Sequence, residues 1–348
     1  MTTETKNNNG RFQYIDMAKG FAIILVIFGH VVSWEPICNV VFIKWYCSFI
    51  IPIFFVTSGF CCTRAYTLQK TFSRVLKPYY FWGAVGAVFG VYEQIMSGTG
   101  VWECLAGILS YVFGISTWNY PIWFLPVYFV ARSVFDSFQV FIEKKTKGNT
   151  IAAIISTATF SLLCFAVGIG LSTIKEQFGL VFPFRFDIGL TMVVFISFGK
   201  GLREICTKRK FSEIDILVAA ILLMAANCLI AHINALVSVS TGTYGNPILF
   251  IYGAMFGSVA ILCIMKIVQN IKIINKCLSW YGRHSQLILC IQVFPLLIVS
   301  KIAHEFGVKF GINSIGIDFI AFILSVIAVV PPCIMIEKAK AKMIHRGQ

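Results

Sequence analysis

The chain has 348 residues, 58% of them hydrophobic and only 13% charged, with a mean hydropathy of +0.82. That balance excludes an ordinary soluble domain and identifies an all-α integral membrane protein. The formal charge of +14 fits the Lys and Arg excess of cytoplasmic loops, and no basic run has the aromatic interleaving of a nucleic-acid surface, so nucleic acid is not an expected partner.

At roughly 20 residues per crossing, the length accommodates about ten spans and short loops, with no room for a separate soluble domain. Residues 1–348 therefore read as a single membrane domain with a polar tail at 1–11 and a basic tail at 337–348. In chain order the expected spans are 14–34, 44–63, 79–97, 120–141, 150–172, 187–203, 213–235, 247–266, 285–303 and 315–336. The first is not followed by a small-residue cleavage site and reads as a retained span. Residues 98–119 read as an outer-surface or re-entrant helix; a full crossing there would invert the later half. With ten spans, Lys44, Lys175, Arg185, Lys301 and Lys309 fall on one side and the other 24 of the 29 Lys and Arg on the opposite side. That asymmetry predicts cytoplasmic termini and a multi-pass protein of the cell (inner) membrane. The twelve cysteines read as small core residues, with Cys38 and Cys47 a candidate pair and no metal-ligand spacing among them.

An ionisable side chain at membrane depth is costly and normally faces a bundle interior or an aqueous cavity. His30 ends the apolar run KGFAIILVIFGH and lies about 24 Å along its helix, in the outer half of the bilayer. Two readings stand for it: a general base for a hydroxyl, or a structural imidazole bonded to a neighbouring carbonyl. Asp16 and Lys19 precede it as candidate partners, though an acid near a helix start also suits the helix dipole. Glu93, Asp187, Glu35 and Arg185 either line a polar cavity or form structural salt bridges. Arg64, Lys70, Arg74 and Lys77 in the first sizeable inner loop either hold the phosphates of an anionic cofactor or simply carry the topology signal. Tyr14, Ser58, Trp123 and Asn246 are further candidate lining, and Trp34, Trp45, Trp102, Trp118 and Tyr120 suit either sugar stacking or an interfacial belt.

Five segments, YIDMAKGFAIILVIFGH at 14–30, IPIFFVTSGF at 51–60, FSRVLKPYYFW at 72–82, IWFLPVYFV at 122–130 and LSWYGRHSQLILCIQ at 278–292, resemble in order the acyltransferase-3 family of polytopic membrane O-acyltransferases, over about residues 12–336. The flavour is that of its bacterial polysaccharide and fucose O-acetylase branch. The resemblance implies transfer of an acyl group, usually acetyl, from cytoplasmic acetyl-CoA to a hydroxyl of an extracytoplasmic glycan or lipid-linked glycan, with no permanently bound cofactor. It puts the family's histidine at His30 and its preceding basic residue at Lys19, where relatives often have Arg; the charge is kept but bidentate binding is lost. Of the family's arginine pair, Arg74 matches the second member while Thr71 stands at the first, so binding of the CoA phosphates is expected to be shared among Lys70, Arg74 and Lys77. Glu93, Trp123 and Gln292 are the expected acceptor contacts. Gln292 occupies a position where many relatives have His, and because an amide is neither acid nor base, proton transfer is concentrated on His30. The rival reading is a small-molecule or amino-acid transporter built on the same membrane domain.

Overall fold

The computed structural model describes residues 12–31, 40–312 and 314–346. Residues 1–11, Trp34, Glu35 and Cys38 lie outside the described residues, and with them the polar tail and the Cys38 to Cys47 pairing. The chain is 83% helical and no strand occurs among the described residues. Its elements are α1 (Gln13–Val31), α2 (Val40–Phe49), α3 (Pro52–Phe60), α4 (Leu68–Thr71), a π-helical turn at Phe72–Leu76, α5 (Lys77–Met96), α6 (Val101–Val112), a 3-10 turn at Tyr120–Trp123, α7 (Phe124–Thr146), α8 (Thr150–Phe178), a second 3-10 turn at Pro183–Arg185, α9 (Phe186–Lys208), α10 (Glu213–Ile233), α11 (Pro247–Val268), α12 (Lys272–Ile291), α13 (Val293–Lys309), α14 (Ser314–Ala328) and α15 (Val330–Arg346).

The described residues of the ten expected spans are mostly helical, although the one at 44–63 is divided between α2 and α3. Among the described residues seven helices are long and apolar enough to cross a membrane, or eight if a bent pair counts as one span. This is an all-α, multi-pass membrane protein. The segment expected to span at 285–303 is not straight, because α12 and α13 meet at Gln292 with a bend of 79°. α6, with 12 residues, is too short to cross the roughly 30 Å hydrocarbon core, in keeping with an outer-surface or re-entrant helix. Helix α15 runs on into the basic tail as far as Arg346.

Two compact units form, one from residues 1–46 with 265–348 and the other from residues 47–264. In the first, α12 packs along α1. Their backbones meet at two glycines: a Cβ on Gly20 would run into the Leu278 carbonyl, and one on Gly282 into the Asp16 carbonyl. Small residues let membrane helices approach this closely because dispersion and packing, rather than expulsion of water, hold them together. His284 ties α12 to α15: its ring stacks on Trp280 with centroids 4.3 Å apart, and its Nε2 lies 2.7 Å from a Glu337 carboxylate oxygen.

The second unit is built around α9, which packs against α3, α7 and α8. Residues 187–196 of this helix are buried without a break, as a helix surrounded on all sides by protein must be. Here too glycines set the closest crossing: a Cβ on Gly59 of α3 would meet the Ile196 carbonyl, and one on Gly199 the Val56 carbonyl.

Candidate active site

In the first unit, the residues grouped by sequence lie on α1. Lys19 Nζ is 3.3 Å from Asp16 Oδ1, one turn apart on the helix, with the aspartate buried. Both belong to the stretch pressed against α12 at the Gly20 and Gly282 crossing. His30 sits one residue before the end of the described helix and is half-buried. Its neighbour Gly29 faces the Tyr46 hydroxyl, which a Cβ there would approach to 3.1 Å. Two residues before His30, Phe28 packs edge-on against Tyr46 and Phe322, at 6.1 and 5.3 Å between centroids.

From Gln13 to Gly20, α1 runs parallel to α12 with a constant offset. Asn275 Nδ2 donates to Gln13 Oε1 at 2.9 Å, a separation of 262 residues, and the two crossing glycines, Gly20 and Gly282, are also 262 apart. His30 and Gln292 stand at that same separation, each ten residues or about 15 Å beyond its glycine at 1.5 Å per residue. Gln292 is completely buried at the α12–α13 bend.

In the second unit the inner loop assembles around one aromatic ring. Lys70 Nζ lies 4.4 Å from the centre of the Tyr66 ring, Arg74 Cζ 4.9 Å and Arg132 Cζ 4.7 Å. Arg74 also donates to the Tyr66 hydroxyl at 3.0 Å. The face of an aromatic ring is its negative pole and attracts all three cations. The loop is anchored from below: the Tyr66 backbone N–H donates to Asp136 Oδ2 at 3.0 Å, and Arg132 Nε donates to the same oxygen at 2.7 Å. Arg132 further reaches Ser58 Oγ at 3.2 Å, and Ser58 shares a 2.6 Å hydrogen bond with Tyr128. Arg74 sits in the π-helical turn, an irregularity frequent at functional sites. Lys70, Arg74 and Lys77 are exposed, as phosphate-binding side chains need to be, and Lys70 and Arg74 are brought together by Tyr66.

Sequence reading missed Tyr66, Asp136 and the burial of Arg132. The signal was present, since Arg132 and Asp136 stand four apart within an apolar run, the spacing of a helical ion pair. Counting Arg132 only as a topology cation hid it.

The remaining candidates are dispersed. Glu93 is exposed in the last turn of α5. Trp123 is half-buried at the end of its 3-10 turn, with the Arg185 guanidinium 5.9 Å from its ring centre. Arg185 and the preceding Phe184 both have positive φ, 51° and 53°, a strained backbone for side chains of that size. The Arg185 Nε donates to the Ile115 carbonyl at 3.1 Å and its Nη1 to the Ser240 carbonyl. Burial holds this guanidinium below its ordinary value, and the Asp187 carboxylate works against that. Asp187 itself is buried against Lys175 at 3.0 Å and Ser172 at 3.2 Å, so of its two readings the structure shows the salt bridge. Asn246 caps α11, its Oδ1 accepting from the Ile248 and Leu249 N–H groups at 2.9 and 3.2 Å. Tyr14 packs edge-on against Phe12 and lies 5.7 Å beneath Lys266.

Comparison with known proteins finds no curated protein and no solved structure that matches significantly. A family model described as an acyltransferase domain matches residues 12–336, taking in both units almost entirely, with α1, the Tyr66 loop and the α12–α13 bend. This all-α membrane protein belongs to the acyltransferase-3 family.

Proposed function

We propose that the protein is a membrane O-acetyltransferase that takes acetyl from cytoplasmic acetyl-CoA and delivers it to a hydroxyl of an extracytoplasmic glycan or glycolipid, with His30 as general base. The observation that carries this reading is a half-buried imidazole inside an apolar, membrane-length helix of an acyltransferase-3 chain. An imidazole is the titratable group that can be buried neutral and still accept a proton near neutral pH.

In this reaction His30 takes the proton of the acceptor hydroxyl as its oxygen bonds to the thioester carbonyl carbon. The carbon–sulfur bond then breaks, the acetyl group stays on the acceptor oxygen as an ester, and the CoA thiolate takes the proton back from the imidazolium. Lys19 and Asp16 form an ion pair within α1, about three turns before His30. Lys70, Arg74 and Lys77 hold the CoA phosphates; three exposed cations, two of them gathered at one tyrosine ring, suit a polyphosphate better than a single carboxylate. Trp123, Glu93 and Gln292 contact the acceptor or the acyl group.

The test is transfer from radiolabelled acetyl-CoA in membranes and in purified protein. His30→Ala is expected to lower transfer by at least about a hundredfold, the scale of general-base catalysis, with an unchanged melting temperature. Neutralising Lys70, Arg74 and Lys77 together is expected to abolish saturable acetyl-CoA binding. Undiminished transfer by the His30 variant removes the general-base assignment, and absence of acetyl-CoA binding by the unaltered protein removes the enzyme reading in favour of transport.

A further inference from the structure

Gln292 is buried to 0% exposure where α12 breaks into α13. Neither its Nε2 nor its Oε1 has a hydrogen-bond partner among the described residues. A primary amide has two donors and two acceptor sites to satisfy, and burying it without partners opposes folding. Buried polar groups are nearly always paired, so an orphaned amide calls for a partner from outside the chain, a water or a ligand. The place strengthens that demand. Membrane helices tolerate a break where the freed backbone borders protein or a cavity, and transporter-like proteins put their binding sites at such breaks.

The parallel register supplies the second, independent observation. The offset of 262 residues that joins Gln13 to Asn275 and Gly20 to Gly282 carries His30 to Gln292. An imidazole and an unpaired amide thus stand at one height on two helices that pack together.

We propose that Gln292 Nε2 donates a hydrogen bond to the carbonyl oxygen of the acetyl group undergoing transfer. The proposal rests on the acyl-transfer reading of His30 above. As the acceptor oxygen bonds to the carbonyl carbon, the π electrons pass to the carbonyl oxygen, and the amide N–H holds the charge that develops there; when the carbon–sulfur bond breaks, the carbonyl re-forms and the hydrogen bond weakens. Preorganised donors of this kind act in a dry site without reorganisation at the moment of reaction. The same residue is neutral in every step, so the proton traffic stays with His30.

Three readouts on purified full-length protein test this: melting temperature without ligand, the melting shift given by acetyl-CoA against that given by free CoA, and release of labelled acetate from acetyl-CoA with water as acceptor. Gln292→Leu removes the orphaned amide at nearly constant volume. Expected is an equal or higher melting temperature without ligand, loss of any extra shift from acetyl-CoA over CoA, and turnover lowered about 10²- to 10³-fold, as for other single oxyanion donors. Gln292→His, which keeps an N–H donor, is expected to retain more turnover than Gln292→Met, which does not. A lower melting temperature for Gln292→Leu with turnover intact makes Gln292 a structural residue and overturns the proposal. Should the leucine variant lose both stability and turnover, equal turnover in the His and Met variants overturns it, and higher turnover in the His variant upholds it. Failure of the His30 reading shows separately, as undiminished turnover in His30→Ala, while the acetyl-CoA and CoA shifts still score Gln292.

Discussion

Arg132 and Asp136 are the residues on which the Tyr66 loop of the second unit depends. Both are buried, 2.7 Å apart, and the same carboxylate oxygen also receives the Tyr66 backbone N–H. Removing one partner of such a pair leaves an uncompensated charge in protein or lipid, which costs about 3–5 kcal/mol. Asp136→Ala should therefore lower the melting temperature sharply and release the Tyr66 loop, seen as faster proteolysis there; replacing both residues by apolar ones should recover much of the stability. Tyr66 itself is a binding prediction. Tyr66→Phe keeps the ring face and is expected to bind acetyl-CoA nearly as tightly as the unaltered protein. Tyr66→Ala removes the surface that gathers Lys70, Arg74 and Arg132, and at about 0.5–1 kcal/mol for each cation–π contact the expected loss in affinity is roughly tenfold to a hundredfold, measurable by titration.

At the scale of elements, two glycine crossings do the same work in different units: α1 against α12 at Gly20 and Gly282, and α3 against α9 at Gly59 and Gly199. In each a Cβ would strike backbone, which cannot rotate away as a side chain can. Alanine at any of the four should lower the melting temperature, and at Gly20 or Gly282 it should also lower transfer, because α1 carries His30. Gly170 in α8 and Gly201 in α9 have nothing within 4 Å of a built Cβ. Alanine there is expected to stabilise by about 0.5–1 kcal/mol each, the helix-propensity difference alone, and a thermal series in one detergent separates the two classes. The α12–α13 break belongs to this scale as well. Its apolar sequence reads straight through apart from Pro295, which cannot donate to the Ile291 carbonyl four residues back and so marks the break beside Gln292.

For the whole molecule, the cation distribution makes an orientation prediction. With both termini cytoplasmic, a fluorescent reporter fused after Lys147 or at the C-terminus should be active, and a periplasm-dependent phosphatase fused after Gly242 should be active; the reverse pattern inverts the protein. Lys147 and Gly242 both lie in turns with positive φ, where a fusion interrupts no helix.

Composition, by itself, determined that the chain is a helical membrane protein, because a hydropathy of +0.82 leaves lipid as the only solvent for so much apolar surface and helices as the way to satisfy its backbone there. Sequence order also marked His30, Lys19 and the Lys70 to Lys77 loop, since charges inside or beside apolar runs are visible without a fold. Only the tertiary structure decided which of these groups meet others. Tyr66 and Arg132 are far apart in the chain and become neighbours because the loop folds back on α7; Asp187 proved to be half of a salt bridge because α8 returns alongside α9. Gln292 is the sharpest case: Pro295 marks a break beside it, but its burial and its lack of partners follow from packing at the bend and its level with His30 from a helix register, which no local pattern of residues encodes.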